Sequence, residues 1–317
     1  MTGKFAAVLV LAWSVAAGAL AAPRETEIQL AHRGAIQGTL ALAEGSVPAP
    51  LVLLIAGSGP TDRNGNNPSM HNNSLQGLAH ALAAHGIASV RYDKRGVAGS
   101  RAAGPSEVEL TLDGYADDAA AWLRLLGQDA RFSKIVIVGH SEGSLIGMLA
   151  ARRGRADGFV SLAGPGDKLS VVLRRQLAGK LPPDLMNESE RILIELEQGR
   201  LAGKVPPLLS ALYRPSVQPY LVSAFKYDPA QEFRKLTVPA AVFQGSTDLQ
   251  ASVDDARRLQ QARPGTPLVI VTGMNHVLKV VEGDMLAQMA SYTAADLPVS
   301  GELVAGLVRF IGSVAPR

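Results

Sequence analysis

The chain has 317 residues, 47% of them hydrophobic, and its 31 basic and 28 acidic side chains give a net charge of +3. A balance so near neutral, with no run of five or more like charges, excludes nucleic-acid binding through a basic surface. The lack of cysteine excludes a disulfide framework and a lipidated leader, so stability has to come from a large apolar core.

Lys4 precedes an apolar stretch over residues 5–18, followed by Ala19-Leu20-Ala21. A basic start, an apolar run and an Ala-x-Ala site read as a signal peptide, with cleavage expected after Ala21. The alternative is an uncleaved membrane anchor, since the run is only slightly short of a span. No other segment reads as transmembrane.

Residues 25–43 alternate loosely and predict an antiparallel pair turning at Arg33-Gly34. Residues 51–56 are continuously apolar, the pattern of a central parallel strand. A loop rich in Gly, Asn and Pro follows over 57–68. Helix is expected over 75–85, strand over 87–92, helix over 112–126, strand over 134–138, helix over 144–153 and strand over 159–163. After residue 234 the alternation resumes, with strands at 238–243 and 267–271 and helices at 252–262 and 302–311. This order predicts an α/β fold with a mostly parallel central sheet flanked by helices. Residues 166–234 break the pattern. Four helical stretches there (169–177, 188–198, 207–213 and 219–225) predict a helical cap inserted between two core strands. The expected organisation is therefore a signal peptide (1–21), a first core part (22–165), the cap (166–234) and a second core part (235–317).

Gly139-His140-Ser141-Glu142-Gly143 lies between a predicted strand and a predicted helix. A Gly-x-Ser-x-Gly pentapeptide in that context is a nucleophile elbow. The turn strains the serine backbone and raises its hydroxyl above the sheet edge. Serine needs a base to take its proton, and the base needs an acid to orient it. His276 is the only histidine after His140, which is inside the elbow, and it follows the last predicted strand. Asp248 follows the strand before it and is the expected acid. Asp254 and Asp255 are alternatives, but they suit the first turn of the following helix. The candidate triad is Ser141, Asp248 and His276.

Acyl transfer builds negative charge on a carbonyl oxygen, which two backbone N–H groups usually hold. The residue after the nucleophile, Glu142, supplies one. The loop Ala56-Gly57-Ser58-Gly59-Pro60 is expected to supply the other, from Ser58 or from Gly59 as the fallback. The Glu142 side chain can also reach the pocket, where it disfavours anionic substrates.

With these residues in place the chain resembles an α/β-hydrolase fold serine hydrolase. It is similar to a bacterial esterase subgroup with a Gly-Ser-Gly-Pro-x-Asp-Arg-x-Gly-Asn loop, here residues 57–66, a Tyr-Asp-Lys-Arg-Gly turn, here 92–96, and a Gly-Met-Asn-His ending, here 273–276. The resemblance runs from about residue 49 to the C-terminus. One departure is Ala56-Gly57 where His-Gly is usual. The resemblance implies a carboxylic-ester hydrolase acting on a small-molecule ester.

Gly59, Asp62 and Arg63 are candidate substrate-binding residues, although Asp62 and Arg63 serve equally to brace the loop. Tyr92-Asp93-Lys94-Arg95-Gly96 reads as a turn whose Asp and Arg side chains fix its backbone. His32, His80 and His85 lack partners at metal-ligand spacing, and His71 reads as solvated, so neither metal nor cofactor is expected. The expected function is an exported serine esterase for short to medium acyl chains. A peptidase, aminopeptidase or thioesterase with the same triad is the alternative, and a non-catalytic binding protein on this fold a lesser one.

Overall fold

The computed structural model describes residues 23–42, 48–104 and 106–316. The expected signal segment lies outside the described residues. Eight strands form one sheet: β1 (Arg24–Ala31), β2 (Ala35–Leu42), β3 (Ala49–Ile55), β4 (Ala88–Tyr92), β5 (Phe132–His140), β6 (Gly158–Leu162), β7 (Ala240–Gly245) and β8 (Leu268–Val271). They lie in the order β1-β2-β4-β3-β5-β6-β7-β8, and β2 alone runs against its neighbours. The first hairpin turns at Arg33 and Gly34, both at positive φ, where the sequence predicted it.

Flanking these strands are α1 (Ser74–Ala83), α2 (Leu112–Leu126), α3 (Glu142–Arg153), α9 (Val253–Ala262) and α11 (Gly301–Ser313), with a short α10 (Met285–Ala290) before the last. Between β6 and β7 run α4 (Leu169–Leu177), α5 (Pro183–Glu197), α6 (Ser210–Tyr213), α7 (Gln218–Phe225) and α8 (Pro229–Arg234).

Strand period explains the two layers. Successive residues of β3 face opposite sides. Leu51, Leu53 and Ile55 pack with Trp122 of α2 and Ile146 of α3, whereas Val52 and Leu54 pack with Leu78 of α1 and Leu307 of α11. Both faces are covered, so central strands read as continuous apolar runs. A third, separate cluster joins Ile192, Leu196, Tyr213 and Phe225 inside the helical segment. That segment thus has a core of its own, built from α4 to α7. Its last helix differs: α8 packs on α3 and α9, and its Phe233 sits 6.1 Å from Phe159 of β6 in the sheet's core.

Two helices were not foreseen. α8 carries the usual start signals, with Asp228 capping Ala230 and Gln231 and Pro229 at its first position. α10 is capped by Asp284 but is only six residues long, too short for a readable period. The elbow helix begins at Glu142, two residues before the expected start, because the turn at Ser141 leads straight into it.

Candidate active site

β3 and β5 are neighbours, and Ile55 is paired with Gly139, so the loop after β3 and the elbow after β5 emerge side by side. Ser141 has φ 56° and ψ −125°, a conformation a side-chain-bearing residue rarely holds. Two glycines permit it. A Cβ on Gly139 would meet the backbone of Gly143, and one on Gly143 would meet the carbonyl of Ile55. Behind the elbow, the Ser141 N–H donates to Leu162 O of β6 at 2.9 Å. Gly57 stands so close that a Cβ there would lie 3.1 Å from Ser141 Cβ.

Asp248 and His276 come together as the sequence suggested. Asp248 Oδ2 accepts from His276 Nδ1 at 2.9 Å, which puts the ring's proton on Nδ1 and leaves Nε2 as its basic nitrogen. Asp248 also accepts from the N–H groups of Gln250 (2.8 Å) and Ala251 (3.0 Å) and from Gln244 Nε2 (3.0 Å). Burial pushes the carboxyl pKa up, but His276 and these N–H groups outweigh it and hold it below the usual range. The carboxylate is therefore ionised across neutral pH. Asp254 and Asp255 take the other role: Asp255 completes a capping box with Ser252, and Asp254 pairs with Arg257 on the surface.

The His276 loop is pinned by a buried asparagine. Asn275 accepts from the N–H groups of Val277 and Lys279 and donates to Ser291 Oγ at 2.8 Å. The segment after α10 thus braces the histidine from behind. The second histidine of the pair, His140, lies with its ring centroid 4.8 Å from that of His276 and contacts His276 O through Nε2 at 2.8 Å. Burial, and then the charge of His276, lower its pKa to about 3, so it is neutral.

Ser141, Glu142, His276, Ser58 and Gly59 all line one cavity of about 550 Å³. Its walls toward the helical segment are mostly apolar, with Leu169, Val172, Leu173, Leu212, Val217 and Leu221, joined by Gln176 and Arg214. Glu142, at the first position of α3, has an N–H without a helical partner.

Asp62 and Arg63 do not line the cavity, which corrects their placement as substrate-binding residues. Asp62 Oδ1 accepts from the N–H groups of Asn64 and Asn66 and closes the turn. The Arg63 guanidinium bonds Asp93 (3.1 Å), Glu27 (2.6 Å) and Thr39 (2.8 Å), joining the loop to β1, β2 and the turn after β4. Both braces serve the loop that carries Ser58. Of the three, Gly59 remains at the cavity.

In the turn after β4, Asp93 and Arg95 fix backbone as expected. Asp93 accepts from the N–H groups of Arg63 and Gly99, and Arg95 grips Asp118 at 2.7 and 3.0 Å. Lys94 was not singled out. It is 1% exposed, and its ammonium donates to Gly57 O and lies 3.9 Å from Glu142 Oε2. Burial depresses its pKa, and Glu142 opposes that. Among the described residues no three His, Cys, Asp or Glu side chains group as a metal site.

Residues 51–290 match the Alpha/beta hydrolase family. Esterase EstD of Thermotoga maritima is 27% identical over 251 residues, which cover 78% of this chain and 59% of that protein. The chain thus spans less than two thirds of that relative's length. Among solved structures, Est1E from Butyrivibrio proteoclasticus superposes with a TM-score of 0.59 at 15% identity, over 90% of this chain and 99% of that one. A thermophilic esterase from Thermogutta terrifontis gives 0.55 at 16% identity, over 92% and 99%. The family match covers the elbow, the Asp248–His276 pair and the loop after β3, and the chain belongs to the Alpha/beta hydrolase family.

Proposed function

We propose that the protein is an exported serine hydrolase that cleaves carboxylic esters of short to medium acyl chains. The observation that carries this reading is the Asp248–His276 hydrogen bond at a cavity shared with Ser141 in its strained elbow. Ser141 Oγ attacks the ester carbonyl while His276 Nε2 takes its proton. The N–H groups of Ser58 and Glu142 hold the oxyanion. His276 returns the proton to the leaving alcohol, which departs and leaves an acyl group on Ser141. Water, deprotonated by His276, attacks that acyl group, and Ser141 leaves as the free hydroxyl. Asp248 holds the histidine tautomer and offsets its charge when it is protonated.

Support for an ester, rather than a peptide amine, comes from Glu142. An aminopeptidase needs a carboxylate free to hold the substrate amine. Glu142 lines the cavity, but the Lys94 ammonium already lies 3.9 Å from it. The relatives named esterases point the same way. Hydrolysis of p-nitrophenyl esters from acetyl to palmitoyl, with Ser141→Ala alongside, tests the reading. Serine-dependent turnover favouring the shorter chains is expected; turnover confined to aminoacyl amides would overturn it. Export rests on Lys4 and the apolar run ahead of Ala21. N-terminal sequencing of the protein from the producing cell tests it, with Ala22 expected first and an intact Met1 counting against it.

A further inference from the structure

The oxyanion loop is held by a charge that comes from outside it. Gly57 O accepts from the Lys94 ammonium, which reaches across from the turn after β4. In a trans peptide the carbonyl oxygen and the next N–H point in opposite directions. Anchoring Gly57 O therefore also fixes the direction of the Ser58 N–H, away from Lys94. That N–H has no acceptor among the described residues, and Ser58 lines the cavity beside Ser141. The loop needs such an anchor. Gly57 is buried against Ser141, but Ser58 and Gly59 are exposed, and Gly59 sits at φ 65° with open space around it, so packing does not hold this peptide on its Ser58 side.

The same ammonium also approaches Glu142. Its 3.9 Å approach is to the side chain of Glu142, whose backbone N–H is the other candidate oxyanion donor. The Tyr115 ring, with its centroid 5.4 Å from Nζ, closes the site on a further side. We infer that Lys94 is a positioning residue for the oxyanion hole: through Gly57 O it aims the Ser58 N–H at the developing oxyanion, and its charge polarises that peptide toward stronger donation. A peptide whose carbonyl already accepts from a cation is a better donor at its N–H. The lysine touches no substrate atom, so its removal should weaken the transition state and spare ground-state binding.

This inference rests on the ester-hydrolase reading, and the experiment separates the two. Wild type, Ser141→Ala, Lys94→Met and Lys94→Gln are compared on a p-nitrophenyl ester. Each is also titrated with a trifluoromethyl ketone, which forms a tetrahedral oxyanion on the serine, and with the unfluorinated ketone, which does not add appreciably. For Lys94→Met, kcat is expected to fall about 10²-fold, the scale of losing one oxyanion donor, with KM within about threefold. Its affinity for the trifluoromethyl ketone should fall by the same factor, and that for the plain ketone should not. Lys94→Gln, which keeps a donor without the charge, should lie between Lys94→Met and wild type. A merely structural lysine would instead lower the folded fraction, or move kcat and both ketone affinities without this split. Lys94→Met with wild-type kcat, or with its loss carried by KM, overturns the inference and leaves the ester reading standing. Should Lys94→Met not fold, Lys94→Gln decides by the same ratios. A wild type that neither turns over the ester nor forms the adduct overturns both.

Discussion

The cavity has a floor and a roof that are built on different principles. The floor consists of loops at the strand ends, and its functional groups are fixed by backbone and buried polar atoms. Asp248 is held by two N–H groups and Gln244, the His276 loop by Asn275, and the Gly57 carbonyl by Lys94. The roof consists of α4 to α7. It presents mostly Leu and Val to the cavity, with Gln176, Arg214 and Tyr220 beside them, has its own apolar cluster, and meets the core through Ala224 and Tyr220 of α7 and through partly exposed ion pairs such as Arg214–Glu107 and Arg175–Asp255. Polar atoms in the floor have one workable arrangement each, because an unsatisfied buried group is costly. Apolar side chains in the roof tolerate exchange so long as volume is kept. Under the proposed function, chemistry is thereby separated from selectivity.

That contrast breaks most visibly at Ser141, the proposed nucleophile. Ser141→Ala should lower kcat on a p-nitrophenyl ester by about 10⁴–10⁶-fold, with the fold intact by circular dichroism. Asp248→Asn should cost about 10³–10⁴-fold, because an amide favours the wrong histidine tautomer; near-native activity would remove Asp248 from the triad. The roof should answer in another currency. Leu173→Trp, at a half-buried position lining the roof, narrows the cavity and is expected to cut kcat/KM for decanoyl and longer esters about tenfold or more, while acetyl esters change within about threefold. An equal loss on every chain length would mean that the roof shapes the chemistry as well.

Two smaller effects concern stability. His140 is 7% exposed, and its pKa falls from 6.5 to about 3 on folding. Since the folded value is the lower one, only the unfolded chain takes a proton as pH drops below 6.5, and stability is lost through that window at up to about 1.4 kcal/mol per pH unit. His140→Gln should flatten this slope, so that between pH 7 and pH 5 the parent loses about 1–2 kcal/mol more than the variant in denaturant unfolding. The smallest effect is expected for Arg214→Ala. Its pair with Glu107 is partly exposed, so the loss should be under about 1 kcal/mol and should shrink in salt.

Floor and roof also differ in how legible they were. The elbow was readable because a positive-φ serine needs glycine on both sides within five residues, and that constraint is local. Asp248 and His276 were readable because chain order and strand ends restrict where an acid and a base can stand. Lys94 was not, because it is 37 positions from the carbonyl it holds and nothing in Tyr-Asp-Lys-Arg-Gly says which side chain leaves the turn. Arg63 misled for the opposite reason: a charged residue next to an oxyanion loop invites a substrate, yet Asp93, Glu27 and Thr39 already occupy its donors. The roof's helices were foreseen as helical stretches, but that pattern cannot separate residues that face only the segment's own core, such as Ile192 and Leu196, from those that also reach the cavity, such as Leu173 and Leu221.

Arg63 also has a practical consequence, in the matter of mechanical load. Its guanidinium ties Glu27 of β1 and Thr39 of β2 to the loop that carries Ser58. A fusion partner or a solid support attached ahead of β1 pulls on that tie, and so on the oxyanion side of the cavity. The end of α11 is a quieter attachment point. Val314 O there accepts from Lys134, near the start of β5 and at the far end of that strand from Ser141.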